Sequence, residues 1–273
     1  MKIWIVDAFT DQPFAGNPAA VCVLPRGDWP PEHRLQAVAA EMNLSETAFA
    51  KPASGDVRAD WELRWFTPVT EALLCGHATL AVAHVLAAQG LAAGVVRFAT
   101  LSGVLSAEAR ADGTVVMDFP ANPPTPADAN DANDALAAAL GAEPVGVYAI
   151  GALNRLLVEL PDEKSVRELA PDHGALAALP VRAIIVTACA DRPAGGYDFV
   201  SRYFAPRVGI PEDPVTGSAH TTLAPFWSRR LGRAALTGLQ VSARTGLVGT
   251  EVAGDRVLLT GRAVTVLVGD LLC

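Results

Sequence analysis

Short apolar runs rich in β-branched and aromatic residues set the rhythm of the first half of the chain. Lys2–Ala8, Ala19–Leu24, Thr47–Lys51, Trp61–Phe66, Val95–Ala99 and Thr114–Phe119 are all of strand length, and each predicts a strand. Two stretches carry the helical period instead. Glu32–Met42 follows a Pro-Pro pair and spaces Leu35, Val38, Ala39 and Met42 along one face. Ala78–Gln89 is apolar on every side apart from His84 and ends at Gly90, so it predicts a helix buried all round at the centre of its sheet. His84 then reads as a buried, hydrogen-bonded side chain.

The run Pro120 to Asn130 is crowded with prolines, which neither donate to a ladder nor sit in a helix interior, and it predicts a linker. Beyond it the order repeats. Val145–Ile150, Asn154–Leu160, Ala183–Thr187 and Tyr197–Phe204 read as strands around short helical stretches. A helix over Ala219–Leu231 follows, then strands over Val257–Thr260 and Ala263–Val268. The repeat becomes specific at Glu71-Ala-Leu-Leu-Cys-Gly-His-Ala78 and Glu212-Asp-Pro-Val-Thr-Gly-Ser-Ala219. Each is preceded by Phe-x-Pro (Phe66-Thr-Pro68 and Phe204-Ala-Pro206) and each opens a helix containing Thr-Leu-Ala. Agreement across an offset of about 141 residues predicts an internal duplication. The expected organisation is an α/β (α+β) chain of two similar domains, 1–120 and 121–273, with the terminal strand able to pair back onto the first. A small-molecule site is expected in a cleft between them.

Composition narrows the classes of function. Hydrophobic residues are 51% of the 273, yet no uninterrupted apolar run approaches the roughly 20 residues that span a bilayer, which predicts a soluble protein with no membrane partner. The opening Met1–Asp7 reads as a first strand and not as a leader, because Asp7 interrupts the apolar run. The net charge of −8, with no clustered basic stripe, argues against nucleic acid. Cys22, Cys75, Cys189 and Cys273 are far apart, with neither CxxC spacing nor a nearby His pattern, which argues against zinc or a disulfide framework and fits a reducing cytoplasm. No dinucleotide fingerprint or phosphate loop is present in the sequence.

The Gly76-His77-Ala78 and Gly217-Ser218-Ala219 turns should present backbone N–H groups at helix N-termini, where the helix dipole also favours an anion. Each terminus is worth roughly 0.3–1 kcal/mol when exposed and up to about 2 when partly buried. The plainer reading is that Gly76 and Gly217 only permit tight turns. Two turns with the same spacing weigh against it.

At these residues the chain resembles a known family. Val6-Asp-Ala-Phe9, Gly16-Asn-Pro18, Asn43-Leu-Ser-Glu-Thr-Ala-Phe49, Cys75-Gly-His-Ala-Thr-Leu-Ala81 and Glu212–Ala219 look like the signature stretches of the phenazine-biosynthesis PhzF-like family, in family order over nearly the whole chain. The resemblance implies the diaminopimelate epimerase-like fold, in which each of two related domains curls a sheet around a central helix. It also implies an isomerase without cofactor or metal, often a homodimer, acting on a small anionic metabolite. By position, Glu46 matches the family's general acid/base, which in the namesake enzyme moves a proton between carbons of a dihydro-hydroxyanthranilate. His77 and Asp213 match its active-site histidine and aspartate, and Ser218 sits where a hydroxyl helps bind the substrate's acid group. Physically, a carboxylate such as Glu46 facing a dry cleft is expected to have its pKa raised toward the operating pH, which suits a group that takes and returns a proton.

Cys75 is a departure. Related racemases and epimerases use two thiols, one from each half, and Cys75-Gly76-His77 resembles one such site. In the repeat its partner position is Thr216, whose hydroxyl is too weak an acid to serve as an efficient base. Cys75 is therefore either the vestige of a two-thiol ancestor or a one-sided base, which leaves a cysteine-dependent epimerase, and a non-catalytic binder, as alternative readings. Asn17 and Asp7 either organise the cleft or cap turns. His33, His173 and His220 have no supporting constellation.

Overall fold

The computed structural model describes residues 1–54, 58–127, 131–191 and 195–272. Two compact units divide the chain: one is Met1–Phe119 with Leu258–Cys273, the other Pro120–Val257.

The first unit carries β1 (Lys2–Ala8), β2 (Asn17–Val23), α1 (Glu32–Met42), β3 (Glu46–Pro52), β4 (Trp61–Phe66), β5 (Glu71–Ala72), α2 (Gly76–Ala88), β6 (Gly94–Thr100), β7 (Gly103–Ala109) and β8 (Val115–Pro120). The last strand of the chain, Ala263–Asp270, pairs antiparallel with β1. Onward from β1 the pairing alternates: β1–β2 antiparallel, β2–β3 parallel, β3–β4 antiparallel, β4–β6 parallel, β6–β7 antiparallel. The helix α2 packs against β1, β2, β3, β7 and the last strand, so the sheet curls around it. This is why its sequence is apolar all round. His77, Ala78, Thr79, Leu80, Ala81, Val82, Ala83, Val85 and Leu86 are all buried. His84 is half-buried and lies 3.1 Å from the Thr265 hydroxyl, as its place in an apolar helix predicts. The other face of the sheet is covered by α1, whose Leu35, Val38 and Ala39 join Ile3, Ala20, Cys22, Phe49 and Phe66 in one cluster.

The second unit carries β9 (Thr125–Pro126), α3 (Asp131–Leu140), β10 (Gly146–Ile150), β11 (Arg155–Glu159), α4 (Glu163–Glu168), α5 (His173–Ala178), β12 (Ala183–Cys189), β13 (Phe199–Ala205), β14 (Ile210–Asp213), α6 (Gly217–Leu231), β15 (Ala235–Gln240) and β16 (Gly246–Ala253). Its ladder runs β10–β11 antiparallel, β11–β12 parallel, β12–β13 antiparallel, β13–β15 parallel, β15–β16 antiparallel. That is the same succession as in the first unit. Period-two patterning explains how both faces are filled. Leu157, Ile185, Phe199 and Tyr203 face α6 with Leu223, Phe226 and Trp227. Their neighbours Val158, Ile184, Val186, Val200 and Phe204 face the opposite way, toward Leu136 and Leu140 of α3, Val166 of α4 and Leu176 of α5.

Several elements differ from the sequence expectation. The proline-rich run is pinned where it is described: β9 pairs with β10 through Pro126 and Tyr148, and the Asn122 amide nitrogen donates to the Thr221 carbonyl at 3.0 Å. Residues 128–130 of that run, and Cys273, lie outside the described residues. The strands β7, β15 and β16 and the helix α3 were not expected. β7 (Gly-Val-Leu-Ser-Ala-Glu-Ala) is thin in large β-branched residues, and its Gly103 and Val104 are exposed, so the apolar pattern is faint. Among the described residues, no helix is long and apolar enough to cross a membrane.

A candidate active site

The hairpin between β1 and β2 builds the floor of the first constellation. Gly16 adopts a left-handed φ of +65°, and a Cβ there would lie 2.2 Å from the Ala8 carbonyl oxygen. Only glycine lets the chain double back so tightly. Asp7 is buried, and its Oδ2 accepts the Phe14 amide at 2.7 Å, tying down the loop. The next residue, Asn17, enters β2 fully buried opposite Ala8.

From there hydrogen bonds lead to the predicted residues. Ser45 Oγ donates to Asn17 Oδ1 at 3.3 Å, which orients the amide, and Asn17 Nδ2 donates to His77 Nδ1 at 3.2 Å. An amide nitrogen is a donor only, so His77 Nδ1 accepts and the ring proton sits on Nε2. That nitrogen lies 3.3 Å from Glu46 Oε2. Burial pushes the His77 pKa down to about 3, so the ring beside the Glu46 carboxylate is neutral. Glu46 is the first residue of β3, paired with Ala19 two positions beyond Asn17. The parallel β2–β3 register thereby carries both Asn17 and Glu46 to the first turn of α2.

Cys75 is the N-cap of α2, buried, with its Sγ 3.5 Å from His77 Nδ1. It makes no side-chain cap hydrogen bond. The ligand atoms of Glu46, Cys75 and His77 all lie within 4.8 Å of one another. Among the described residues this is the set that offers metal ligands, although both ring nitrogens of His77 already face other groups of the site. Gly76 is the first residue of α2.

The second unit repeats the scaffold with different chemistry. Thr216 is the N-cap of α6, as Cys75 is of α2, and it too makes no side-chain cap bond. Its hydroxyl donates instead to Asp213 Oδ2 through a short hydrogen bond. Gln240 fixes this turn: its Oε1 accepts the Thr216 amide at 2.8 Å and its Nε2 donates to the Asp213 carbonyl at 2.7 Å. Gly217 opens the helix, and Ser218 Oγ accepts from Arg155 Nη1 at 3.0 Å. His220 lies one turn in, fully buried, with Nδ1 2.9 Å from the Thr216 carbonyl. Burial pushes its pKa down to about 4, with the Thr216 carbonyl opposing.

Glu46, Cys75 and His77 are thus assembled in the first unit, and Asp213, Thr216, Gly217 and Ser218 in the second. Sequence reading missed Ser45, Gln240 and Arg155. It also missed a matched pair of braces. Arg64 grips Glu71 through two bonds of 2.6 Å, and Arg202 grips Glu212 through bonds of 2.7 and 2.8 Å. In each unit the arginine stands two residues before the Phe of Phe-x-Pro and its glutamate opens the segment leading to the helix. The aligned glutamates were the signal for their partners.

Comparison with known proteins gives the same outline. Residues 6–269 match the profile of the PhzC-PhzF family, phenazine biosynthesis-like proteins. A protein of Pseudomonas aeruginosa named an uncharacterised isomerase is 48% identical over 99% of this chain and 98% of its own length. A crystal structure of a PhzF family protein from Enterococcus faecalis, 40% identical, superposes with a TM-score of 0.90 over 100% of this chain and 99% of that one. A hydroxyproline epimerase from Agrobacterium vitis, 13% identical, shares the fold with a TM-score of 0.59 over 98% of this chain and 91% of that one. The fold is the diaminopimelate epimerase-like one.

Proposed function

Because the chain belongs to the phenazine biosynthesis-like PhzC-PhzF family, we propose that it is a cofactor-independent isomerase that moves a proton on a small carboxylate-bearing metabolite, with Glu46 as general acid and base. The observation that carries this reading is the neutral His77 ring with its Nε2 3.3 Å from Glu46 Oε2. An imidazolium at that distance would strongly favour the ionised carboxylate. A neutral ring orients the carboxylate and leaves it able to take a proton. In the proposed step Glu46 removes a proton from a carbon of the substrate, and the electron pair passes into the adjacent unsaturated system. The Glu46 acid then returns the proton to another carbon, so the formula is unchanged and no electron acceptor is needed. His77 is the positioning residue. Asp213, with Gly76, Gly217 and Ser218, is assigned to substrate handling.

The test is deuterium incorporation from heavy water into dihydro-hydroxyanthranilate-like and amino-acid carboxylates, followed by NMR in the native protein, Glu46→Gln and Cys75→Ser. Exchange lost in Glu46→Gln and kept in Cys75→Ser supports the carboxylate mechanism. Silence across the panel in the native protein favours a binder without turnover.

A second reading, a cysteine-dependent epimerase, is favoured by one observation: Cys75 Sγ sits 3.5 Å from His77 Nδ1 at a helix N-cap. Against it, Thr216 occupies the corresponding cap of the second unit. Exchange lost in Cys75→Ser but kept in Glu46→Gln would select it. A cytoplasmic homodimer belongs to the same proposal, and sedimentation velocity reports the oligomeric state.

A further inference from the structure

Two half-buried arginines of this protein hold carboxylates: Arg64 holds Glu71 and Arg202 holds Glu212, each through two bonds. Arg155 does not. It is half-buried at the start of β11, and its hydrogen-bond partner is the uncharged Ser218 hydroxyl at 3.0 Å. Its guanidinium carbon stands 5.4 Å from the Tyr203 ring centroid, and its Nε is buried with no hydrogen-bond partner. Among the described residues no carboxylate pairs with it. The ring offers partial compensation for a cation, but a buried guanidinium N–H without an acceptor costs free energy that a folded chain ordinarily avoids.

We infer that Arg155 supplies the counter-charge for the acid group of the bound molecule, beside the Ser218 hydroxyl that the family resemblance already places at that group, and that the group is a carboxylate. This rests on the reading of the substrate as a carboxylate-bearing metabolite and supplies its counter-charge. Arg155 is held in place by the sheet: it pairs with Ile150 on one side and Ala183 on the other. Ser218 is in the first turn of α6, whose N-cap side chain is turned to Asp213 and does not cap the helix. The serine hydroxyl accepts from Arg155 and keeps its own proton to donate to an incoming oxygen. A planar guanidinium matches a planar carboxylate, and a single cation balances a single negative charge, whereas a phosphate dianion would be left half-neutralised.

The experiment follows the Arg155 Nε–H resonance in 1H–15N spectra of the full chain during titration with benzoate, benzamide and inorganic phosphate. Benzoate should shift it saturably and benzamide should not. Arg155→Gln should weaken benzoate binding at least tenfold, about what loss of a charged hydrogen-bonded pair gives. Ser218→Ala, a smaller change that keeps the fold if Arg155→Gln does not, should weaken it several-fold. An unmoved resonance at high benzoate, equal affinity in the native protein and both variants, or an equal response to phosphate would each overturn the assignment. Glu46→Gln separates this inference from the isomerase reading: it should lose exchange and keep benzoate binding. Benzoate bound through Arg155 in a protein that never exchanges a proton would leave this site standing and remove the other.

Discussion

The Asn17 amide sets which nitrogen of His77 carries the proton, so replacing it with a carboxylate of the same shape should change the charge of the ring. Asn17→Asp puts a negative acceptor at the position now 3.2 Å from Nδ1. A carboxylate and an imidazolium at that separation attract by ~5 kcal/mol at an effective dielectric of ~20, or roughly 4 pKa units if fully realised. Desolvating the new carboxylate takes back part of this. From its present value of about 3, the ring would then titrate close to neutrality. The Nδ1–H tautomer would turn an Nε2 lone pair toward Glu46, so the doubly protonated ring between two carboxylates is the form favoured. Long-range 1H–15N correlation spectra distinguish neutral tautomers from imidazolium. The native protein should show neutral His77 with Nε2–H from pH 7 down to pH 5, and Asn17→Asp should show an imidazolium fraction that grows across the same range. Proton exchange on substrate should fall at least ~10-fold, because an imidazolium holds Glu46 ionised. An Nδ1–H or charged ring in the native protein, or an unchanged ring in Asn17→Asp, would refute the reasoning.

Three further outcomes are expected. Gly16→Ala should destabilise the fold by ~2 kcal/mol or more, because the left-handed φ and the 2.2 Å approach to the Ala8 carbonyl leave no room for a methyl; a urea midpoint unchanged from the native protein would contradict it. Glu71→Gln and Glu212→Gln, each removing the charge from a half-buried arginine fork, should each lower stability by ~1–3 kcal/mol, and a loss below ~0.5 kcal/mol would show the forks to be energetically idle. Acid should weaken the protein well before its carboxylates titrate. His77 and His220 stay neutral in the fold down to about 3 and about 4 but protonate near 6.5 when unfolded. Their contribution is whole above pH ~6.5 and is lost as pH falls toward the folded values, about 2 kcal/mol each by pH 5. Urea unfolding at pH 7.5 and 5 checks this, with His220→Gln expected to flatten the slope.

Much of the scaffold was legible because it follows from pattern. The all-apolar run after Gly76 had to be a buried helix, and α1 lies where helical spacing put it, over Glu32–Met42. The misses have physical causes. β7 holds a single β-branched residue, the exposed Val104. Ala235–Gln240 contains Gly238, where a Cβ would lie 2.4 Å from the Phe199 ring, so a residue required by close packing reads locally as a turn. In the site, residues flanking the helix starts stood out as motifs, whereas Ser45, Gln240 and Arg155 act through contacts reaching 24 to 63 positions along the chain. Spacing cannot reveal such partners. Gln240 in particular appears in sequence as one polar residue at a strand end, and only the ladder brings it under Thr216.

The duplication separates what the fold needs from what the chemistry needs. Both units share the same succession of pairings, the Arg–Glu brace behind the strand end, and an N-cap residue whose side chain leaves its helix uncapped. These are the parts that hold a helix start in place, and they recur in both units. The residues at the helix starts themselves diverge. Cys75 faces a neutral imidazole, whereas Thr216 donates to a carboxylate. The histidine of the first unit is at the second helical position and touches Glu46, while that of the second is at the fourth and buried against Thr216. A symmetric two-base reaction would require the same acid/base group at both caps. A cysteine at one cap and a threonine at the other do not meet that requirement.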